Sequence, residues 1–226
     1  MEVKNVILHF PWGAGGNFIR NCLLLDCRYE FDWANKILQQ RYQYLVQFYQ
    51  SLATQENWLN KEWHGPRGYL HSKYYKNHTI NFSNTCPVIF VTHCEEEVIA
   101  SSIIDHTSLT HVFLNPSDRQ LIAEIYVSKS PEIDGHLRGS IDERIKQTLC
   151  HMRSFEKNQL KLKEELIKKN TTTYTYDVNK LFNDDGHLLI QEIAQRLSVE
   201  VPMNMGKNLH QLWNGQNKKL YNALFA

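Results

Sequence analysis

A glycine-rich stretch near the start of the chain, residues 11–17, most constrains what this sequence can fold into; we call it the glycine loop. A short apolar run at residues 6–10 precedes it, and such a run is typical of a strand that is buried on both faces. After the loop, apolar residues return at helical spacing. The order of strand, loop and helix predicts backbone N–H groups at the positive end of a helix, where phosphate or sulfate binds.

The glycine loop matches neither of the two common nucleotide-binding motifs. No Gly-Lys-Ser/Thr triplet follows at Walker A spacing, and Gly13, Gly15 and Gly16 do not have the spacing G-x-G-x-x-G. These differences disfavour an ordinary ATPase or Rossmann enzyme. A purely structural turn is the alternative, because strand-to-helix connections also need residues that tolerate positive φ.

Composition narrows the class of protein. The chain has 226 residues, of which 42% are hydrophobic, and this suits one globular domain over residues 1–226. A formal net charge of +1 disfavours a nucleic-acid-binding protein. The five cysteines form no C-x-x-C pair, so we expect a reducing compartment and a cytoplasmic protein. No apolar run is long enough to span a membrane, and no signal-peptide segment is evident.

Strand and helix patterns alternate along the rest of the chain. Buried-strand patterns occur at residues 87–92 and 171–176, and helical patterns occur over residues 29–63, 140–169, 188–197 and 209–224. Residues 105–140 follow no clear pattern, and the histidines there lack the compact spacing of a zinc site, so we assign no metal. The alternation predicts an α/β fold in three layers, with a mainly parallel central sheet flanked by helices.

These segments together resemble the P-loop-related sulfotransferases. The resemblance rests on the strand, glycine loop and helix at the start, on a central strand with a serine eight positions after its end, and on a late T-Y-T-Y-D strand before an L-x-x-I-A-x-x-L helix. It implies a P-loop NTPase-like sulfotransferase fold and the donor 3′-phosphoadenylyl sulfate (PAPS), with PAP as product. The residues it places against the 5′-phosphosulfate are Pro11, Trp12, Gly13, Ala14, Gly15, Gly16 and Asn17.

The resemblance also implies a 3′-phosphate site, formed here by His93 and Ser101. The family has an arginine at the first position, and histidine is a weaker, pH-dependent partner for phosphate. Lys207 follows Gly206 where the family often has a basic, glycine-containing loop near the same phosphate. Trp12 occupies the slot of the family's P-loop lysine, so Arg20, Lys73 or Lys207 would have to supply the missing positive charge.

The expected catalytic residue is His71, in a Leu-His-Ser segment at a similar distance before His93 as the family's catalytic histidine. A neutral imidazole there would take a proton from a hydroxyl or amine acceptor while the sulfuryl group moves in line. The structural alternative is a core histidine, in which case His9 or Lys73 would be the next candidates for the base.

Two further functions stay open from the sequence. Gly-Asn segments also occur at the start of fucosyltransferase-like enzymes that use nucleotide sugars, and the missing lysine and arginine also fit a nucleotide-binding relative without catalysis. The acceptor of a sulfotransferase would be a small molecule, a sugar or a lipid. We expect no nucleic-acid partner, and the sequence does not specify an oligomeric state.

Overall fold

The computed structural model describes residues 5–29, 37–52, 87, 89–93, 109–130 and 137–225. Within these residues four strands form one sheet, and every neighbouring pair is parallel. The strands are β1 Val6–His9, β2 Ile89–Thr92, β3 Thr110–Asn115 and β4 Thr173–Asp177. Their order across the sheet is β2-β1-β3-β4. The predicted α/β class with a parallel sheet is therefore confirmed.

Helices flank the sheet. The described part of the chain contains α1 Gly16–Leu23, α2 Leu38–Gln50, α3 Arg119–Lys129, α4 Ile141–Lys168, α5 His187–Leu197 and α6 Met203–Phe225, with a 3₁₀ helix, Val178–Phe182, directly after β4. In the described segments, no helix is both long enough and apolar enough to cross a membrane.

The two faces of the sheet are covered by different elements. Leu8 and Val112 point to one face and share a large core with residues of α1, α5 and α6. On the opposite face, Phe113 packs against α4 through Phe155, Leu162 and Leu166. Because side chains alternate along a strand, β3 contributes Val112 to one core and Phe113 to the other. Burial on both faces explains the nearly continuous apolar runs in the sequence.

Helix α4 is much longer than the strands it covers. Its 28 residues span about 42 Å. A capping box starts it: Ser140 Oγ accepts from the Glu143 N–H, and the Glu143 carboxylate accepts from the Ser140 N–H at 2.7 Å. The second half contacts the sheet, whereas Arg144 near the start donates to the carbonyls of Val127 and Ser130 at the end of α3. The first half of α4 therefore extends past the carboxyl edge of the sheet and pairs with α3.

Most predicted elements are present, but their boundaries differ. β1 ends at His9, α2 covers only part of the predicted helix, and α6 begins at Met203 instead of residue 209. The strand that sequence analysis missed is β3, which lies between β1 and β4. Thr110 and His111 interrupt the apolar pattern there, although both are buried. The predicted strand with His71 and the helix with Ser101 lie outside the described residues.

Candidate functional site

The order of the strands locates the point where an open parallel sheet binds ligands. From β1 the chain crosses to β2 on one side, and from β3 it crosses to β4 on the other side. The carboxyl ends of β1 and β3 therefore form a topological switch point, and ligands bind in the crevice outside such a point. The loop that follows β1 there is the glycine loop. Topology thus agrees with the sequence in making this loop the candidate site.

Helix α1 begins directly behind the glycine loop and has no side-chain cap. Its N-cap residue is Gly15, at φ 70°, and no acidic residue lies in its first turn. The first intrahelical hydrogen bond runs from the Ile19 N–H to the Gly15 carbonyl at 3.0 Å. The N–H groups of residues 16–18 consequently have no partner within the helix. The helix dipole adds partial positive charge at this end, so the arrangement suits an oxyanion.

Close packing explains why glycines are needed in the loop. Gly13 has φ 82°, and a Cβ on it would lie 2.7 Å from Tyr126 Cβ in α3. A Cβ on Gly15 would lie 2.7 Å from Leu181 Cδ2. Positive φ and these close approaches both exclude larger residues. The structural alternative therefore accounts for the glycines by itself, and the chemical argument for a ligand has to rest on the N–H groups of α1.

Four aromatic rings meet beside the glycine loop, and we call Trp12, His93, Tyr126 and His151 the aromatic cluster. Trp12 stacks on His151, with ring centroids 3.8 Å apart and ring planes at 8°. Tyr126 faces Trp12 at 5.7 Å. His93 approaches His151 edge-on at 5.6 Å. The cluster thus joins the loop to β2, α3 and α4 at the carboxyl edge of the sheet.

His93 lies where the sequence predicted, at the carboxyl end of β2 and next to the glycine loop. Its Nδ1–H donates to the carbonyl of Phe10 at 2.7 Å, and its ring packs edge-on against the Phe10 ring. This bond ties the end of β2 to the end of β1. Because Nδ1 has this structural partner, any phosphate contact would have to use Nε2.

His151 is the member of the aromatic cluster that sequence analysis missed. Its Nδ1 is buried and has no hydrogen-bond partner among the described residues. Burial and, to a smaller extent, the neighbouring His93 together lower the pKa of His151 to about 3, so the ring is neutral near pH 7. A histidine within a long polar helix gives no local signal. Its contact with Trp12 depends on α4 extending beyond the sheet.

Two residues considered in the sequence analysis, Arg20 and His9, are bound elsewhere. Arg20 donates through Nε to the carbonyl of Ile89 at 3.0 Å, which is the opposite end of β2, so it does not supply the missing charge at the loop. His9 is 1% exposed, and its Nε2 shares a 2.9 Å hydrogen bond with His111 Nδ1, so it does not face an acceptor as a base.

Lys207 belongs to the first turns of α6 and not to a loop, which corrects the expected setting of this residue. It is exposed, and the adjacent Gly206 is buried close to Gln191 and Val201. The part of α6 that reaches the glycine loop is Trp213, roughly 9 Å further along the helix and on a different side of it. Ser101, His71 and Lys73 lie outside the described residues.

A separate pocket of about 370 Å³ lies at the other end of α1. Its charged groups satisfy one another: Asp26 pairs with Arg28 at 2.5 Å and accepts from the N–H of Glu200 at 2.8 Å. Arg28 also donates to the carbonyl of Ser198 at 2.9 Å. These bonds fasten the end of α1 to the segment after α5, so the pocket has a structural explanation.

Within the described ranges, no three His, Cys, Asp or Glu side chains are placed to hold a metal ion. Comparison of the chain with protein-family models, with curated proteins and with solved structures finds no match in any of the three. What the candidate site does therefore has to be argued from its own residues and geometry.

Proposed function

We propose that this protein is a sulfotransferase that binds the 5′-phosphosulfate of PAPS at the glycine loop. The observation that carries the proposal is the place of this loop, between the central strand β1 and the uncapped start of α1, at the switch point of a parallel sheet. Backbone N–H groups in such a place bind an oxyanion without requiring a lysine. The resemblance of the sequence to P-loop-related sulfotransferases makes a sulfated nucleotide the preferred ligand.

The proposed reaction is an in-line displacement at sulfur. The oxygen of the acceptor forms a bond to sulfur while the bond from sulfur to the bridging oxygen of PAPS breaks, and PAP leaves with that electron pair. His71 receives the proton of the acceptor, and His93 with Ser101 holds the 3′-phosphate. The helix start at α1 stabilises charge on the transferring group. Lys207 has no role in this scheme, because it lies in helix α6 and not in the loop that the resemblance expects there.

The first experiment is a calorimetric titration of the protein with PAP, ADP and GDP. The proposal expects PAP to bind more tightly than ADP, because only PAP carries the 3′-phosphate, and GDP to bind most weakly. Tightest binding of GDP would favour the fucosyltransferase-like alternative. If none of the three nucleotides binds, the proposed function is wrong.

A charge at the start of α1 tests the location of the site. Asn17→Asp places a carboxylate at the second helical position, where it repels an anion but suits the helix dipole. We expect PAP affinity to fall at least about tenfold, equivalent to about 1.4 kcal/mol. The matched control is Asn204→Asp, at the second position of α6, which leaves PAP affinity unchanged. Equal affinity in both variants would exclude the start of α1 as the anion site.

A second candidate function, nucleotide binding without catalysis, is favoured by one observation. Trp12, in the slot of the family's lysine, is packed against the rings of His151 and Tyr126. The test is release of PAP from PAPS in the presence of a phenol, a sugar and a long-chain alcohol. Binding without release supports this candidate. If transfer occurs, His71→Ala lowers its rate by about 10²–10⁴ with PAP affinity unchanged when His71 is the base.

A further inference from the structure

The second half of helix α4 has apolar side chains on two opposite faces. Phe155, Leu162 and Leu166 form the face that packs on the sheet. Leu160 and Ile167 lie on the other face, where they are 62% and 68% exposed. Because they are seven residues apart, they lie along one line of the helix, about 10.5 Å from each other.

Helix propensity explains only one of these two exposed residues. Leucine is among the best helix formers, so Leu160 would favour α4 even in water. Isoleucine loses side-chain freedom in a helix because its Cβ is branched, so neither the helix nor the solvent favours Ile167. A single exposed apolar residue is common on protein surfaces and needs no explanation. The charges around the pair supply the further observation.

This half of α4 is the basic part of a nearly neutral chain. Residues 153–169 contain six lysine or arginine residues and three glutamates, which is a net charge of +3, whereas the whole chain has +1. One of the three glutamates, Glu156, is paired with Arg119 of α3. The positive charge of this segment therefore exceeds that of the complete chain.

The basic residues lie beside the exposed apolar pair. Arg153, Lys157 and Lys168 are all exposed. By helical geometry each lies within about a quarter turn of the line through Leu160 and Ile167. Exposed apolar residues flanked by lysine and arginine on one helix are typical of helices that lie on an anionic membrane surface.

We propose that this face of α4 binds the surface of a membrane that contains anionic lipid. We call Arg153, Lys157, Leu160, Ile167 and Lys168 the basic apolar face. Its apolar side chains enter the boundary between headgroups and acyl chains, and its basic side chains attract the anionic headgroups. Membrane binding is independent of the proposed function, because it requires no nucleotide.

Charge complementarity favours a membrane over other occupants of this face. A second copy of the chain would place the same positive face against its own kind, and like charges repel. A partner helix would need a continuous apolar seam with residues three or four positions apart. Here Lys163 and Glu164 occupy the positions between Leu160 and Ile167. The interrupted seam suits a fluid surface better than a helix.

Glu164 limits how deeply the basic apolar face can enter the membrane. It is exposed and lies on the same side of α4 as Leu160 and Ile167. A carboxylate stays hydrated, so the contact remains at the level of the headgroups. It also repels anionic lipid. Removing this charge should therefore strengthen membrane binding, which is a response that a purely structural residue would not give.

The test is sedimentation of the full chain with vesicles of two compositions. One contains equal amounts of phosphatidylcholine and phosphatidylserine, and the other contains phosphatidylcholine alone. We expect binding to the mixed vesicles only, and we expect high salt to weaken it. Lys157→Gln and Lys168→Gln should each lower the affinity about fivefold, and Glu164→Gln should raise it about fivefold.

The apolar pair is tested by the double variant Leu160→Gln, Ile167→Gln, which should bind the mixed vesicles at least about tenfold more weakly. The matched control is Leu188→Gln, since Leu188 is 51% exposed on α5, a helix without lysine. This control should bind like the wild type. Melting temperatures of all variants should stay close to that of the wild type, because the changed side chains are exposed.

Three outcomes would overturn membrane binding through this face. The first is that the wild-type protein does not sediment with the mixed vesicles, as expected if the face serves an acidic protein instead. The second is equal binding to both kinds of vesicle, and the third is unchanged binding of the double variant. Failure of the proposed function is seen separately, since it is measured by PAP titration without vesicles.

Discussion

The interior of the sheet and its carboxyl edge differ in how their polar groups are satisfied. Inside the sheet, His9 and His111 are almost fully buried, share a 2.9 Å hydrogen bond and stack with Phe113. At the edge, Nδ1 of His151, beside the glycine loop, is buried without a partner among the described residues. Both regions bury imidazoles, but only the interior gives them a hydrogen bond to each other.

The difference separates structural histidines from functional candidates. Two buried side chains that hydrogen-bond each other contribute to folding, and the atoms in that bond offer nothing to a ligand. Buried groups that lack partners lower stability, and at the carboxyl edge they lie near a helix start without a side-chain cap. Sites of binding commonly have this property, because strain and unsatisfied groups are retained there. The following predictions test whether the two regions really differ in this way.

Acid should destabilise the protein by protonating His151 at the carboxyl edge of the sheet. We expect this loss in the free energy of unfolding to exceed the effect of any single substitution. The pKa of His151 is lowered from 6.5 to about 3 in the folded state. Between these values the unfolded chain binds more protons, so the free energy of unfolding falls as the pH falls, by at most about 1.4 kcal/mol per pH unit from this residue. Urea unfolding of wild-type protein and His151→Phe between pH 7 and pH 3 measures the difference.

We expect His151→Phe to lose part of this pH dependence and to be the more stable protein below pH 6. His210, whose pKa is also lowered by burial, remains in both proteins and its contribution cancels. Parallel curves for the two proteins would show that His151 is not held neutral, and the contrast between interior and edge would then fail.

Substitutions inside the sheet should lower stability, whereas His151→Phe raises it below pH 6. The reason is that they break the hydrogen-bonded pair of His9 and His111. His9→Phe and His111→Phe each leave one buried nitrogen without its partner, and we expect each to cost about 1–3 kcal/mol of stability. The double variant should cost less than the sum of the two, because no unpaired imidazole remains. Urea unfolding at pH 7.5 measures all three. Additive losses would mean that the hydrogen bond between His9 and His111 contributes nothing.

The sequence allowed the elements around the loop to be predicted because their signals are local. The apolar run before the glycines predicts β1, and the spacing after them predicts α1. The helical pattern over residues 140–169 predicts α4, and in the structure a capping box of Ser140 and Glu143 starts this helix. His93 could be placed at the end of β2 for the same reason, since a strand pattern ends immediately before it.

The rest of the site depends on contacts between distant segments. His151 is far from Trp12 in the sequence, and their stacking follows from the length of α4 and its packing on α3. β3 was missed because Thr110 and His111 are polar, although the neighbouring strands bury them. Gly13 and Gly15 were attributed to ligand binding, but the packing of Tyr126 and Leu181 also requires them. Patterns within one segment do not contain this information.

The smallest effect we expect is the change in the free energy of unfolding of Asn17→Asp. Whether this change is a gain or a loss tests the start of α1 directly. Asn17→Asp adds a carboxylate at the second position of α1, where no acidic residue and no side-chain cap are present. We expect the free energy of unfolding to rise by about 0.3–1 kcal/mol and the gain to shrink in 1 M salt. Asn204→Asp should give a similar gain, because the first turn of α6 also lacks acidic residues.

Asn17→Asp and Asn204→Asp should then gain similar stability and differ only in their affinity for PAP. A comparison of the two separates the effect on the helix from the effect on the anion site. A carboxylate at position 17 satisfies the helix start itself and repels an oxyanion, so the protein becomes more stable while PAP binds more weakly. At position 204 the same change stabilises without affecting PAP. Thermal melts with and without PAP measure both quantities in one experiment. A loss of stability in Asn17→Asp would mean that the N–H groups of residues 16–18 already have partners, and the edge would then resemble the interior of the sheet.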